Sequence, residues 1–280
     1  MISSKDRMKI IIPTHNRYDR LITLSFIPKS YHHNVFLVVR SGEQEERYSK
    51  AFQSRSFFED DYENNVNILA FDGLTGIHDK RHAIAKHFKG EKIWMVDDDC
   101  ILKPAEIVTP TYPNKDGKIL DIIKMCKNVV TESQFYEFIE YASDLLDKYP
   151  HGIVRPGIFP RGEDYWPYRL NTWAFTNAFL NLKTLEPESL NYDFVNHTED
   201  AVAFLSVLEQ GYDSFLLSKW MIKSEKPGEP GGMTGVRNSK MMDAANEKIH
   251  KRFPAHTRLQ EGYSIDGEEG HRVLKIRPNI

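Results

Sequence analysis

The stretch Ile93-Trp94-Met95-Val96-Asp97-Asp98-Asp99-Cys100 runs from an apolar segment directly into three carboxylates. Adjacent like charges repel, and each resists leaving water. A strand that ends this way is a place where a cation relieves a conflict. Hard ions such as Mg²⁺ or Mn²⁺ take oxygen ligands, and they commonly use one or two protein carboxylates plus substrate phosphates. Asp97 and Asp99 form an Asp-x-Asp pair of that kind, the expected anchor for a metal carrying a nucleotide diphosphate. A solvated turn with no ligand is the plain alternative for so short a pattern. The flanking sequence has to decide.

Upstream, Lys9 to Pro13, Val35 to Val39 and Val66 to Phe71 read as apolar strands, with Ile93 to Val96 as a fourth. Between them, Tyr18 to Phe26, Gln44 to Phe58 and His78 to Phe88 read as helices, and Thr14-His15-Asn16-Arg17 as a polar loop. Apolar strands alternating with helices predict parallel βαβ units. Such sheets bind ligands at the carboxyl ends of their strands. Thr14, Arg17, Arg40 and Asp97 to Asp99 all follow strand ends, so one crevice can gather them.

Downstream, Lys103 to Lys118 is rich in proline and turn residues and reads as a loop or hairpin. Thr131 to Lys148 predicts a helix: Thr131 and Gln134 fit a capping box. Phe135, Phe138, Ile139, Ala142, Leu145 and Leu146 recur at core spacing along it. Ile158 to Tyr168 is an aromatic loop, and Thr172 to Leu182 reads as a strand returning to the sheet. Glu199 and Asp200 then open a helix running to Gln210, with Gly211 as its stop. Two acids at a helix start suit the dipole on their own account. They also suit acid–base work. Lys226 to Arg237 is too rich in glycine and proline for regular structure and reads as a mobile loop.

The 280 residues suit one compact domain with ample core. Three regions are expected within it: 1–102, ending in the Asp-x-Asp pair; 103–218, holding the Glu-Asp helix; and 219–280, the glycine-rich loop and a basic tail. No apolar run nears the roughly 18 residues that span a bilayer. Two cysteines, Cys100 and Cys126, make no disulfide framework and point to a reducing cytoplasm. Net charge is -3, yet Lys219 to Ile280 holds twelve Lys/Arg against eight Asp/Glu. A basic quarter on an acidic body is compatible with a polyanionic partner, and equally with a mixed solvated surface. No Walker loop, nucleophile elbow or dinucleotide glycine fingerprint occurs.

The Ile-Ile-Pro-Thr-x-x-Arg strand end at 11–17, the Asp-x-Asp pair and the later Glu-Asp helix together resemble the GT-A fold of nucleotide-sugar glycosyltransferases. That resemblance implies an α/β fold, a Rossmann-like mixed sheet flanked by helices. It also implies roles. Pro13, Thr14 and Arg17 would line the base and ribose pocket, with Arg40 and Asp98 beside it. Asp97 would meet the ribose or the metal, and Asp99 the metal, Mn²⁺ or Mg²⁺. Lys80, Arg81 and Arg237 would meet the donor phosphates. Asp200, or Glu199 beside it, would be the catalytic base, which implies inversion.

A narrower likeness rests on Gly76-Ile77-x-x-Lys80-Arg81, the acidic triplet, Arg161, Thr198-Glu199-Asp200 and Pro230-Gly231-Gly232-x-x-x-x-Arg237. These resemble the TET-associated glycosyltransferases of phages. The family implies transfer from a UDP-sugar to a hydroxymethylated pyrimidine in DNA, 5-hydroxymethylcytosine being the expected base. Arg161, Trp166 and His197 would then face the acceptor. One of His250, His256 and His271 would complete the metal shell. The chain departs from the family pattern in reading Glu-Asp-Ala, without a third acid after Asp200. A polysaccharide or glycolipid acceptor, or sugar nucleotidyl transfer, are the competing readings.

Overall fold

The computed structural model describes residues 8–54, 66–108, 122–157, 168–171, 177–196, 198–224, 239–262 and 271–276. Strands β1 (Lys9–Pro13), β2 (Val35–Arg40), β3 (Asn67–Phe71) and β4 (Lys92–Met95) are parallel, in the order β3-β2-β1-β4. Helices α1 (Glu43–Ser54) and α2 (Ile77–His87) carry two of the crossovers. The chain steps outward from β1 to β3, then returns to place β4 on the other side of β1. That reversal opens a crevice at the carboxyl ends of β1 and β4. Thr14 follows one and Asp97 the other.

Side chains alternate between two buried faces, as a sheet covered on both sides requires. Ile10, Ile12, Leu37, Trp94 and Val96 join one core; Ile11, Val38, Ile93 and Met95 join the other. Helix α3 (Glu132–Lys148) covers the first face. Its six expected core residues are all buried, and Thr131 closes a capping box with Gln134. Trp94 stacks on Phe179 at 4.9 Å with the rings 6° apart. Such a pair adds about 1 kcal/mol beyond its buried area.

Beyond β4 the sheet turns mixed. It continues through β9 (Phe179–Asn181), β7 (Ile153–Gly157), β10 (Ser214–Ser224), β5 (Cys100–Val108) and β6 (Ile122–Met125), with β8 (Tyr168–Leu170) paired to β10. β9 runs antiparallel to both β4 and β7, whereas β7 and β10 are parallel. Helix α4 (Glu199–Glu209) packs with α2 on the second face. It also shares a smaller core with α5 (Ser239–Arg252) and the two-stranded ribbon β11 (Thr257–Gly262) and β12 (His271–Ile276). No helix among the described residues is long and apolar enough to cross a membrane.

Three expectations change in detail. Tyr18 to Phe26 is no α-helix; Ile22–Phe26 forms a 3-10 turn, and the Thr23 amide donates to the Asp98 carbonyl at 3.3 Å instead of along a helix. Lys103 to Val108 is strand, paired with β6, so the hairpin alternative holds there; residues 109–121 lie outside the described set. Of Thr172 to Leu182, only Phe179–Asn181 is strand, and 172–176 are not described.

Candidate active site

The acidic triplet is a turn held by its neighbours rather than a free string of charges. The Thr23 hydroxyl donates to the carbonyl of Asp97 at 2.5 Å, and the Cys100 amide donates to that hydroxyl at 3.0 Å. Asn177, in a left-handed conformation at φ 61, accepts from the Asp97 amide through Oδ1 at 2.9 Å. The turn sends its middle acid inward. Asp98 accepts from the Thr14 hydroxyl at 2.6 Å and from Arg17 Nη1 at 2.7 Å. Arg17 also reaches Asp99 Oδ2 at 2.9 Å.

Exposure separates the three carboxylates. The Asp98 side chain is 10% exposed, against 20% for Asp99 and 28% for Asp97. Burial pushes the Asp98 carboxyl up to about 6, with Asp99 and Asp97 adding repulsion, against the pull of the Thr14 bond and Arg17. Arg17, for its part, is raised: burial opposes its charge, but Asp98 and Asp99 more than offset it. The short bidirectional geometry favours the paired ionic form at neutral pH.

Tyr48 completes this inner layer. Its hydroxyl bonds to the Thr14 hydroxyl at 2.7 Å and accepts from the Arg17 amide at 2.9 Å. Burial lifts the phenol to about 12. Lys80 is buried too and donates to the Thr14 carbonyl at 2.7 Å. Burial lowers it to about 8, and Asp98 only partly restores the charge.

Arg81 lies one residue on, 4% exposed. Its Nη2 donates to Asp97 Oδ1 at 2.8 Å, and its Nε stands 3.2 Å from Glu199 Oε1. The second contact is an ion pair without hydrogen-bond alignment. Burial opposes the charge on Arg81, yet Asp97, Glu199 and Asp200 hold it above its ordinary value. Asp200 is buried at the same helix start and lies within the field of Arg155, which burial lowers to about 10. Tyr192 closes this cluster, lifted by burial to about 12.

The structure thus brings Thr14, Arg17, Asp97, Asp98 and Asp99 together, and links Glu199 to them through Arg81. Pro13 is buried at the end of β1, and Arg40 is exposed at the end of β2. Lys80 and Arg81, expected to meet phosphates, are buried and have partners within the chain, Lys80 on the Thr14 carbonyl and Arg81 on Asp97 and Glu199. Arg161, Trp166, His197 and Arg237 lie outside the described residues. Sequence reading missed Thr23, Tyr48 and Asn177. Single polar residues in loops and helices carry no pattern that announces a fold-back onto a distant turn.

The triplet's chemistry fits a hard divalent ion. Two partly exposed carboxylates flank a buried one that is already satisfied, and one or two such groups are what Mg²⁺ or Mn²⁺ asks of a protein when phosphate supplies the rest. Among the described residues no group of three or more His, Cys, Asp or Glu is arranged to hold a metal. His250 bonds to Thr257 at 2.8 Å within the α5 unit. His256 is half-buried there, and the side chain of His271 is not described.

The sequence model of the TET-Associated Glycosyltransferase family matches residues 8–232. The Beta-glucosyl-HMC-alpha-glucosyl-transferase of Enterobacteria phage T6 is 32% identical over 276 residues, covering 96% of this chain and 91% of that protein. The enzyme of the same name from Enterobacteria phage T2 is 30% identical, with the same coverage. The crystal structure of GalNAc-T7 with UDP, GalNAc and Mn2+ superposes with a TM-score of 0.50 at 9% identity, over 88% of this chain and 47% of that one. This last likeness is one of fold, the GT-A fold. A match across most of the chain, carried at this identity, makes the protein a glycosyltransferase and a member of the TET-associated glycosyltransferase family.

Proposed function

We propose that this enzyme transfers glucose from UDP-glucose to a glucosylated 5-hydroxymethylcytosine in phage DNA. The observation that carries the reading is the likeness, over 96% of the chain, to two enzymes named for that acceptor and that product linkage. The acceptor in this reading already bears a sugar, one step beyond the bare hydroxymethylated base that the motifs imply. The linkage also bears on stereochemistry. UDP-glucose carries its sugar in the α configuration, so an α-linked product favours retention over the inversion expected from a carboxylate base.

Asp97 and Asp99 would hold the divalent cation, which when bound offsets the negative charge that grows on the departing diphosphate. Arg17, kept in place by Asp98 and Tyr48, lends positive charge to the same pocket. Thr14, with its hydroxyl and carbonyl both fixed, shapes the wall that meets the uridine. Lys80 and Arg81 support that wall from behind. Arg40, and Arg237 on the glycine-rich segment, are the cations assigned to the donor's outer edge. Glu199 is committed to Arg81, so Asp200 is the acid assigned to the acceptor hydroxyl. Arg161, Trp166 and His197 are assigned to the acceptor base and its phosphates. The basic stretch from Lys219 onward suits a polyanion such as DNA.

The test is a transfer assay with UDP-glucose and duplexes carrying cytosine, hydroxymethylcytosine or β-glucosyl-hydroxymethylcytosine. The expected product forms on the third duplex, needs Mn²⁺ or Mg²⁺, and shows an α anomeric proton coupling by NMR. Faster transfer to the unglucosylated base, or a β coupling, would overturn the assignment of acceptor or stereochemistry respectively.

A further inference from the structure

We infer that Arg81 is a positioning residue that couples the cation affinity of Asp97 to Glu199 on α4. The inference rests on the reading of Asp97 and Asp99 as cation ligands. Its basis is one guanidinium placed between two functional elements that lie far apart in the chain. Arg81 holds Asp97 Oδ1 at 2.8 Å and Glu199 Oε1 at 3.2 Å. The Glu199 arm is shielded, with the Arg81 side chain 5% exposed and that of Glu199 3%, whereas the Asp97 arm ends on a carboxylate that is 28% exposed. A planar guanidinium can serve two carboxylates at once, and a lysine ammonium cannot reproduce the fork.

The consequence is a competition. A divalent cation arriving at Asp97 must share that carboxylate with Arg81. How strongly Arg81 holds Asp97 depends on how much of its charge Glu199 takes up. With Glu199 ionised, the guanidinium is balanced from both sides and Asp97 can turn part of its charge to the cation. With Glu199 neutralised, the whole of the Arg81 charge falls on Asp97, which then binds a cation less well. The same linkage works in reverse by thermodynamic necessity. A cation on Asp97 strengthens the Arg81–Glu199 contact and holds the first turn of α4, where Asp200 sits. Donor loading would thereby set the acceptor-side acid in place. Partners one step behind a metal ligand commonly change metal affinity 10- to 100-fold.

The experiment measures Mn²⁺ binding by calorimetry on the full chain in the presence of UDP, with no sugar transfer involved. The proteins are wild type, Glu199→Gln, Arg81→Met and the double variant, each checked for folding by thermal melting. Glu199→Gln is expected to weaken Mn²⁺ binding about tenfold. In the Arg81→Met background the same substitution is expected to change it less than twofold. Equal weakening in both backgrounds would mean that the lost charge acts through space, and the proposal would fall. So would an unchanged affinity for Glu199→Gln alone. If Arg81→Met does not fold, Arg81→Lys replaces it, and the effect of Glu199→Gln should shrink by more than half. Asp97→Asn and Asp99→Asn separate the two levels of argument. Wild-type Mn²⁺ binding by both would remove the metal reading itself. Impaired binding by both with an indifferent Glu199→Gln would remove only the coupling.

Discussion

The hydroxyl of Thr14 donates to Oδ2 of Asp98 at 2.6 Å, fastening the end of the first strand to the middle acid of the triplet. Arg17 takes the other oxygen. The three consecutive aspartates therefore do different work, and substitution should tell them apart. Asp98→Asn leaves the guanidinium of Arg17 short of a buried charge and loses one acceptor, at a cost of about 2 kcal/mol. Asp99→Asn should stay within about 1 kcal/mol of wild type, because a partly exposed ligand carries little fold energy, yet it should abolish transfer. Urea midpoints paired with activity assays check both. Similar destabilisation by the two would mean that the inward and outward roles are wrongly drawn.

Asp200→Asn should lower kcat about a hundredfold, because under retention the acid's part is to hold the acceptor hydroxyl beside the sugar, and misplacing a reacting group costs on that scale. UDP affinity should move little, since the residues proposed for the donor, Thr14, Arg17, Asp97 and Asp99, lie at the ends of β1 and β4. Steady-state kinetics with a separate UDP titration resolves the two quantities. A defect confined to donor affinity would shift the role to another acid.

Lys80 gives the fold a pH signature. Its folded value of about 8 lies below the ordinary 10.5. Below pH 8 both folded and unfolded chains hold the proton, and the penalty of burying it stands in full. Between pH 8 and 10.5 the unfolded chain alone keeps it, so stability rises with pH across that window. The gain amounts to roughly 3 kcal/mol at most. The Lys80→Met variant lacks this titration. The stability difference between wild type and variant should therefore move in favour of wild type from pH 7.5 to pH 10, as read by urea unfolding at each pH. A constant difference would place the Lys80 proton elsewhere.

Thr198 sits at φ 63 and ψ 28 directly before Glu199, a left-handed conformation that a β-branched residue strongly resists. Its buried hydroxyl oxygen has no hydrogen-bond partner among the described residues. Strain of this kind costs about 1–3 kcal/mol. Thr198→Gly should leave stability equal to wild type or raise it by about 1 kcal/mol, the relief being partly offset by the looser unfolded chain. Turnover should fall, because the entry to α4 would no longer be fixed. A loss of more than about 1 kcal/mol in a denaturant titration would show that the threonine is held by contacts stronger than its strain.

Much of the β1–β4 half is legible in the sequence. The strands at Lys9, Val35, Asn67 and Lys92 each show as an apolar run followed by a turn, and period and punctuation are enough to place such elements. The helix from Glu132 was clearer still, since its cap and its core stripe agree. The later sheet was harder to read. Strand β10 is the longest in the molecule among the described residues, yet Ser218 and Lys219 interrupt its apolar pattern, where the register also shifts between Leu217 and Met221. Strand β7 hides a buried Arg155 and a proline within five residues. The order of strands beyond β4 is set by long-range pairing that local pattern does not contain.

The site shows the same division. Asp97, Asp99 and Asp200 stand out because acids at element boundaries violate the ordinary economy of burial. The interior loyalties of Asp98, Lys80 and Arg81 do not, because a charged residue on a predicted helix looks the same whether it faces water or a buried acid. Tyr48 looked like one more aromatic on a polar helix. Its role emerges only when α1 lies against the loop after β1.

Strand β9 is three residues long, yet it alone among the described strands joins β4 to β7. Cut the chain before it and Lys92 to Met95 would present bare amides and carbonyls along an apolar ribbon, an invitation for another copy to add itself there. The β1–β4 half is therefore not a detachable module. Its open seam is covered only while β9 and the strands beyond it hem it.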